Sequence, residues 1–436
     1  MRLMFMRKRD NAMPSASSTP TVIVPLGEGK VSLPVQTILR CSLRGVWLRT
    51  HLYLGLFGGA LFVLMSLTGS FLVFYKAIDE WLNPAQLTTS GSGPHKPLNE
   101  VVATAQATVP AGGWLDSLEL PAHEREVVRA WHKVPTDKLD HFRWYLVTID
   151  PYAGSVLGRD REWGTYLVSF IYELHESLLI DELGRTLVGC VAILLLISIG
   201  TGLFLWWPRS GKVRQAFLPV TGGSRIRRQY QWHKVTGAYS AIVLTVLAFT
   251  GVYLAFPSYV IQLVSAFSPV DESDEDGAVQ SHPDSGTPPL SAEQAVELAQ
   301  HLFPDGRITY IGIPHEAVDA YEMMMYRPGD VRESAGNSMV WLDQYSGAVL
   351  KVRDWRTSTA GHTFVAWLFP LHNGEAFGMI GRWIVFFAGL IPLVLYVTAL
   401  RVWWLKRQAH RRQNRRPSAE AHPCSKPVNR HTLLIR

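Results

Sequence analysis

Four long apolar runs dominate the sequence, at 48–75, 185–207, 238–256 and 379–404. A helix rises about 1.5 Å per residue, so crossing roughly 30 Å of hydrocarbon takes about 20 apolar residues. Each run is of about that length, and a chain that is 47% hydrophobic with only 18% charged residues is more apolar than an ordinary soluble domain. The sequence therefore predicts a four-span helical membrane protein. The first run starts too far from Met1 and is too long for a cleaved signal peptide, and it is expected to stay as an anchor.

Charge placement sets the expected orientation. Arg209, Lys212, Arg214, Arg225, Arg227 and Arg228 lie between spans two and three with no acid among them, and the tail 401–416 is equally basic. Both are expected on the cytoplasmic side. The segments between spans one and two and between three and four mix both signs, the latter with Asp271, Glu272, Asp274, Glu275 and Asp276, and are expected outside. An even number of spans then puts the N-terminal segment inside, with Arg2, Arg7, Lys8, Arg9, Arg40, Arg44 and Arg49. Because these basic clusters flank apolar spans, topology explains them and a nucleic-acid partner is not expected. Cys41, Cys190 and Cys424 are the only cysteines, too few for a disulfide framework or a four-cysteine cluster. No Cys-x-x-Cys-His occurs, so any haem would be held without thioether links.

The chain is also a tandem repeat. His51 opens HLYLG, and twelve positions past its glycine LTGSFLVF begins; His233 opens HKVTG, and FTGVYLAF begins at the same spacing. LHESLLIDELGR from Leu174 leads to Trp206 and Trp207, as LHNGEAFGMIGR from Leu371 leads to Trp403 and Trp404. The exterior segments repeat as well. LVTIDPYAGSVLGR from Leu146 and VWLDQYSGAVLKV from Val340 both read as hairpins, and each is preceded by a helix-like stretch, from Pro97 and from Pro289. Each half thus reads as span, small α+β exterior domain, span. Two copies with two spans each run in the same direction and are expected to be related by a pseudo-twofold along the membrane normal.

Ionisable groups at a span are costly, and their default reading is functional. The repeat places His51 and His233 at one depth, at the head of spans one and three, and His175 and His372 at another, ahead of spans two and four. Opposed neutral imidazoles in such pairs suit a six-coordinate haem iron; transport of a metal ion by the same side chains is the rival reading. Gly55 and Gly237, one turn past their histidines, lack a Cβ and would leave room for a flat ring between helices. Arg185 and Arg382 are candidates for orienting helices or pairing with haem propionates. His362 has no counterpart in the first half and is left as an alternative ligand, a substrate contact or a loop residue, the last two being favoured.

The LH-x8-GR heads, the H-x3-G openings and the paired D-x-Y-x-G hairpins resemble the PepSY-associated transmembrane family, over roughly 47–406. Within that family the chain is most similar to inner-membrane ferrisiderophore reductases. The resemblance implies four spans, two PepSY-like periplasmic domains and two haem b groups, with His51 paired with His233 and His175 with His372. It implies a multi-pass protein of the bacterial inner membrane that reduces ferric siderophore in the periplasm and so releases ferrous iron. No G-x-G-x-x-G follows a strand, so an unidentified cytoplasmic or quinone electron donor is expected. A scaffold that binds a periplasmic partner such as a peptidase, with no cofactor, is the alternative. The expected order is a cytoplasmic extension (1–46), span one (47–76), exterior domain one (77–162), interfacial segment and span two (163–207), a basic loop (208–232), span three (233–257), exterior domain two (258–360), interfacial segment and span four (361–406), and a basic tail (407–436).

Overall fold

The computed structural model describes residues 21–26, 29–137, 141–208, 211, 213–218, 222–270, 279–283 and 286–414. The acidic run at 271–276 and the chain beyond Asn414 lie outside the described residues, as do Arg2, Arg7, Lys8, Arg9, Arg209 and Lys212. A hairpin of β1 (Thr21–Leu26) and β2 (Gly29–Pro34) leads into α1 (Val35–Tyr53), a π-helical turn at Leu54–Gly58, and α2 (Gly59–Leu72). Four helical stretches are long and apolar enough to cross a membrane: Leu43–Leu72, Asp181–Trp206, Arg225–Ala255 and Glu375–Arg412.

Spans one and three begin earlier than the apolar runs suggest. α9 starts at Arg225 because the Ser224 hydroxyl caps it by accepting from the Arg227 N–H, so the helix takes in the end of the expected loop 208–232. His51 and His233 consequently sit eight residues inside their spans rather than at the heads. The spans form a ring in which α7 (Asp181–Trp206) packs on α1 and α9 (Arg225–Ala255), and α13 (Gly378–Asn414) packs on α9 and α2. Small residues permit the close crossings. A Cβ on Gly189 would run into Phe256 and Ala255, and one on Gly389 into Ser70, whose hydroxyl donates to the Phe386 carbonyl at 2.9 Å.

Short helices α3 (Tyr75–Leu82), α4 (Pro84–Leu87) and α5 (Leu98–Gln106) precede the first strand set: β3 (Trp114–Glu119), β4 (Val128–Pro135), β5 (Phe142–Ile149) and β6 (Val156–Glu162). α6 (Leu167–Ser177) then leads to α7, and α8 (Val213–Ala216) lies before α9. The second half follows with α10 (Pro257–Ser265), α11 (Ala292–Leu302), β7 (Arg307–Gly312), β8 (Ala320–Tyr326), β9 (Ser338–Asp343), β10 (Val349–Arg353) and α12 (Ala360–Asn373).

The two exterior segments, expected as separate small domains, share one antiparallel eight-stranded sheet, in the order β10-β9-β8-β7-β3-β4-β5-β6. The joint pairs Ser117, Leu118 and Glu119 with Gly312, Ile311 and Tyr310. One face is covered by α5 and α11. There the core around Val101, Ala105, Leu118 and Ile149 and that around Ala295, Ile311, Met323 and Leu342 both rest on Leu98, Val102, Leu120 and Ile313. The opposite face carries ion pairs to α3: Arg161 with Asp79 at 2.7 Å, Arg129 with Glu80 at 3.5 Å and Glu119 with Lys76 at 3.7 Å. Burial pushes the Glu119 carboxyl up, but Lys76, Arg129 and the Trp131 indole N–H outweigh it and hold it below the usual carboxylate range.

Candidate functional site

The histidines meet in two pairs. His51 and His233 face each other with ring centroids 6.2 Å apart, and His175 and His372 do so at the same 6.2 Å. An imidazole nitrogen bonds a transition metal at about 2 Å, so a metal shared by two opposed rings sets their centres about 6 Å apart. Both pairs have that spacing.

Each ring is also held by a threonine of a neighbouring element. His51 Nδ1 lies 3.1 Å from Thr201 Oγ1 and 3.1 Å from the Ser198 carbonyl; His233 Nδ1 lies 3.1 Å from Thr398 Oγ1 and 3.0 Å from the Leu395 carbonyl. In the outer pair, His175 Nδ1 is 2.9 Å from Thr68 Oγ1 and His372 Nδ1 is 2.8 Å from Thr250 Oγ1. The hydroxyl protons are engaged elsewhere. Thr201 donates to the Ser198 carbonyl, Thr398 to Val394, Thr68 to Leu64 and Thr250 to Val246, all at 2.8–2.9 Å. The Ser198 and Leu395 carbonyls beside His51 and His233 can only accept, and a threonine hydroxyl that donates to its own helix accepts from the ring, an arrangement that fits a proton on Nδ1 in all four rings. Nε2 then keeps its lone pair, the state in which histidine ligates a metal. Donor chemistry and spacing together fit a transition-metal ion that would be held between the two imidazoles of each pair.

The outer histidines end separate helices, α6 and α12, where the sequence suggested only interfacial segments. In the first half the chain turns from α6 into α7 through three non-glycine residues in the left-handed region, Leu178 (φ 50°), Leu179 (φ 63°) and Asp181 (φ 50°). The second half makes the equivalent turn with Gly374 (φ 82°) and Gly378 (φ 57°). Each turn folds back so closely that a Cβ on Gly184 would overlap the Ser177 carbonyl, and one on Gly381 the Gly374 carbonyl. That contact accounts for the glycine of each Gly-Arg pair.

Arg185 bonds Glu176 at 2.9 Å and reaches Glu182 at 3.8 Å, clamping the α6–α7 turn. The repeat puts Asn373 where Glu176 stands, so half-buried Arg382 has no acid at the matching place. A Cβ at Gly55 would meet nothing within 4 Å, and one at Gly237 only Leu395 Cδ2 at 3.7 Å, so protein packing does not demand glycine at either. The glycines against the histidine rings are others. A Cβ would stand 3.0 Å from His175 Cε1 at Gly69, 3.0 Å from His51 Cε1 at Gly202 and 3.5 Å from His372 Cε1 at Gly251. His362 is helical, in the first turn of α12, not a loop residue. Ten residues of helix separate it from His372 by about 15 Å, so it does not join the outer pair.

Residues 48–406 match the family model of the PepSY-associated TM region. The chain belongs to this family. The matched PepSY-associated region runs through all four histidines and all four threonines. No curated protein matches the chain. The threonines were overlooked in the sequence although a signal was present. Thr68 and Thr250 each stand 17 residues past His51 and His233, and Thr201 and Thr398 each stand 26 past His175 and His372.

Proposed function

We propose that this PepSY-associated TM protein carries electrons across the bacterial inner membrane, with two haem b groups held by His51/His233 and His175/His372, and reduces ferric siderophore in the periplasm. The observation that carries the reading is the geometry of the two pairs: rings 6.2 Å apart at each, with every Nδ1 facing a threonine hydroxyl that donates to its own helix and can accept from the ring. Haem, when bound, supplies one-electron transfer, which is the stoichiometry of converting ferric to ferrous iron. The threonines keep each imidazole in the ligating tautomer and fix its orientation. Arg382, which has Asn373 where Arg185 has Glu176, is assigned to a propionate, whereas Arg185 serves the turn. The donor, cytoplasmic or quinone, delivers electrons near His51 and His233.

Purification in detergent with a visible spectrum tests this. A Soret band that shifts on dithionite reduction, at two haems per chain, is expected. Addition of ferric siderophore to the reduced protein should restore the oxidised spectrum and release iron to a ferrous chelator. A colourless protein would overturn the proposal and leave the partner-binding scaffold.

A further inference from the structure

At the ends of α9 and α13 opposite the sheet lies a groove of about 540 Å³, lined by Arg225, Arg228, Gln229, Arg401, Trp403 and Trp404 together with two leucines. No acid lines it. The repeat supplies its own control. At the equivalent places in the first half stand Leu43 for Arg225, Val46 for Arg228 and Phe204 for Arg401, while Trp206 and Trp207 match Trp403 and Trp404. Those first-half residues are exposed apolar surface: Leu43 is 54%, Val46 57% and Phe204 48% exposed. Retention of positive charge on one side of the membrane does not explain why three guanidiniums replace lipid-facing hydrophobes on one flank of the bundle and converge on one groove.

We infer that this groove binds an anionic phospholipid, its headgroup phosphate held by Arg225, Arg228 and Arg401 and its glycerol and upper acyl carbons laid along Trp403 and Trp404. Guanidinium is the side chain suited to bidentate phosphate contact. Indoles at the ends of a span sit at headgroup depth, and basic pockets between spans recognise acidic headgroups. A free small anion would have no use for the indole wall, and a zwitterionic lipid would bring its own cation to the arginines. Gln229 stands one turn before His233, so the lipid would lie beside the inner pair. The inference needs only that α9 and α13 span a membrane, and it is independent of haem.

Native mass spectrometry of the delipidated full-length protein, titrated separately with phosphatidylglycerol and phosphatidylcholine, tests it. At least tenfold preferential retention of one phosphatidylglycerol is expected, with inorganic phosphate at millimolar concentration failing to displace it. The combined variant Arg225→Leu, Arg228→Val and Arg401→Phe, which installs the residues of the first half, should abolish that preference. The single Arg401→Phe should reduce it severalfold, a check that does not depend on the triple variant folding. Replacing Arg411 and Arg412 with Ala removes charge outside the groove and should change nothing. Equal retention of the two lipids, displacement by phosphate, wild-type retention in the groove variants, or equal loss in the tail variant would each overturn the inference.

Discussion

Each of the four histidine rings has a threonine hydroxyl against its Nδ1, in the inner pair beside a backbone carbonyl, so threonine is the residue at which the pairs can be tuned without replacing a histidine. Replacing Thr68 with Val keeps the shape and removes the acceptor facing His175. Loss of such an outer partner commonly costs about 10–100-fold in metal affinity. On the proposed di-haem reading, T68V should deplete the outer haem on dilution and leave the inner one, and T201V should do the reverse, as read from the haem-to-protein ratio and the low-temperature spectrum. Equal loss of both haems in either variant would count against separate pairs. Gly184 is a stability position instead. With its Cβ colliding with the Ser177 carbonyl, Gly184→Ala should cost about 3 kcal/mol, the upper end of what overfilling a packed site typically costs. Gly200, which has nothing within 4 Å of an added Cβ, should accept Ala with no loss, and paired thermal melts of the two variants check this. The histidines were legible because the repeat set them in matched positions. The threonines were visible in the same repeat, but their role was not, since spacings of 17 and 26 residues say nothing about which element docks on which.

Among the elements, the two hairpins were the most legible, and they show why a turn motif survives translation into structure. Asp150 accepts from the N–H groups of Tyr152 and Ala153 at 2.8 and 3.2 Å, and Asp343 from those of Tyr345 and Ser346 at 3.0 and 2.8 Å, so the aspartate of each D-x-Y-x-G ties its own turn. α6 and α12 were less legible, because the break between α6 and its span falls on Leu178, Leu179 and Asp181, where propensity gives no stop signal. β3 was hidden by the bulge between Leu115 and Ser117, which interrupts its alternation. Burial pushes the Asp343 carboxyl up, but the N–H groups of His282, Ser346 and Tyr345 and the Ser346 hydroxyl prevail and bring it to about 2. A carboxyl depressed on folding stabilises the fold above its unfolded pKa near 4, and that contribution fades as pH falls towards 2. Asp343→Asn should thus lower stability by about 2 kcal/mol at pH 7, by the conversion of about 1.4 kcal/mol per pKa unit. The gap between variant and wild type should narrow between about pH 4 and pH 2. Chemical unfolding of the sheet region at several pH values would show it, and a gap independent of pH would remove the carboxylate from the account.

On the scale of the whole molecule, two facts work together: the two strand sets are joined through β3 and β7 over a shared apolar core, and the histidine pairs lie at two depths of the same bundle. Thr68 and Thr250, which hold the outer pair, stand 17 residues along the helix from His51 and His233, about 25 Å at the helical rise. On the proposed electron-carrying reading the two pairs are an entry and an exit, and removal of one should act in only one direction. In sealed proteoliposomes holding reductant only on the side of His51 and His233, the wild-type protein should reduce ferric chelate added on the sheet side. His233→Ala should abolish that transport, yet the outer haem should remain in the protein and still respond to dithionite added on the sheet side. His372→Ala should give the mirror result: the inner haem is reduced by the enclosed donor, and no electrons reach the chelate. If either variant lost both haems, the pairs would be one coupled structural unit. If His233→Ala kept wild-type transport, electrons would be reaching the sheet side by a path that does not use the inner pair.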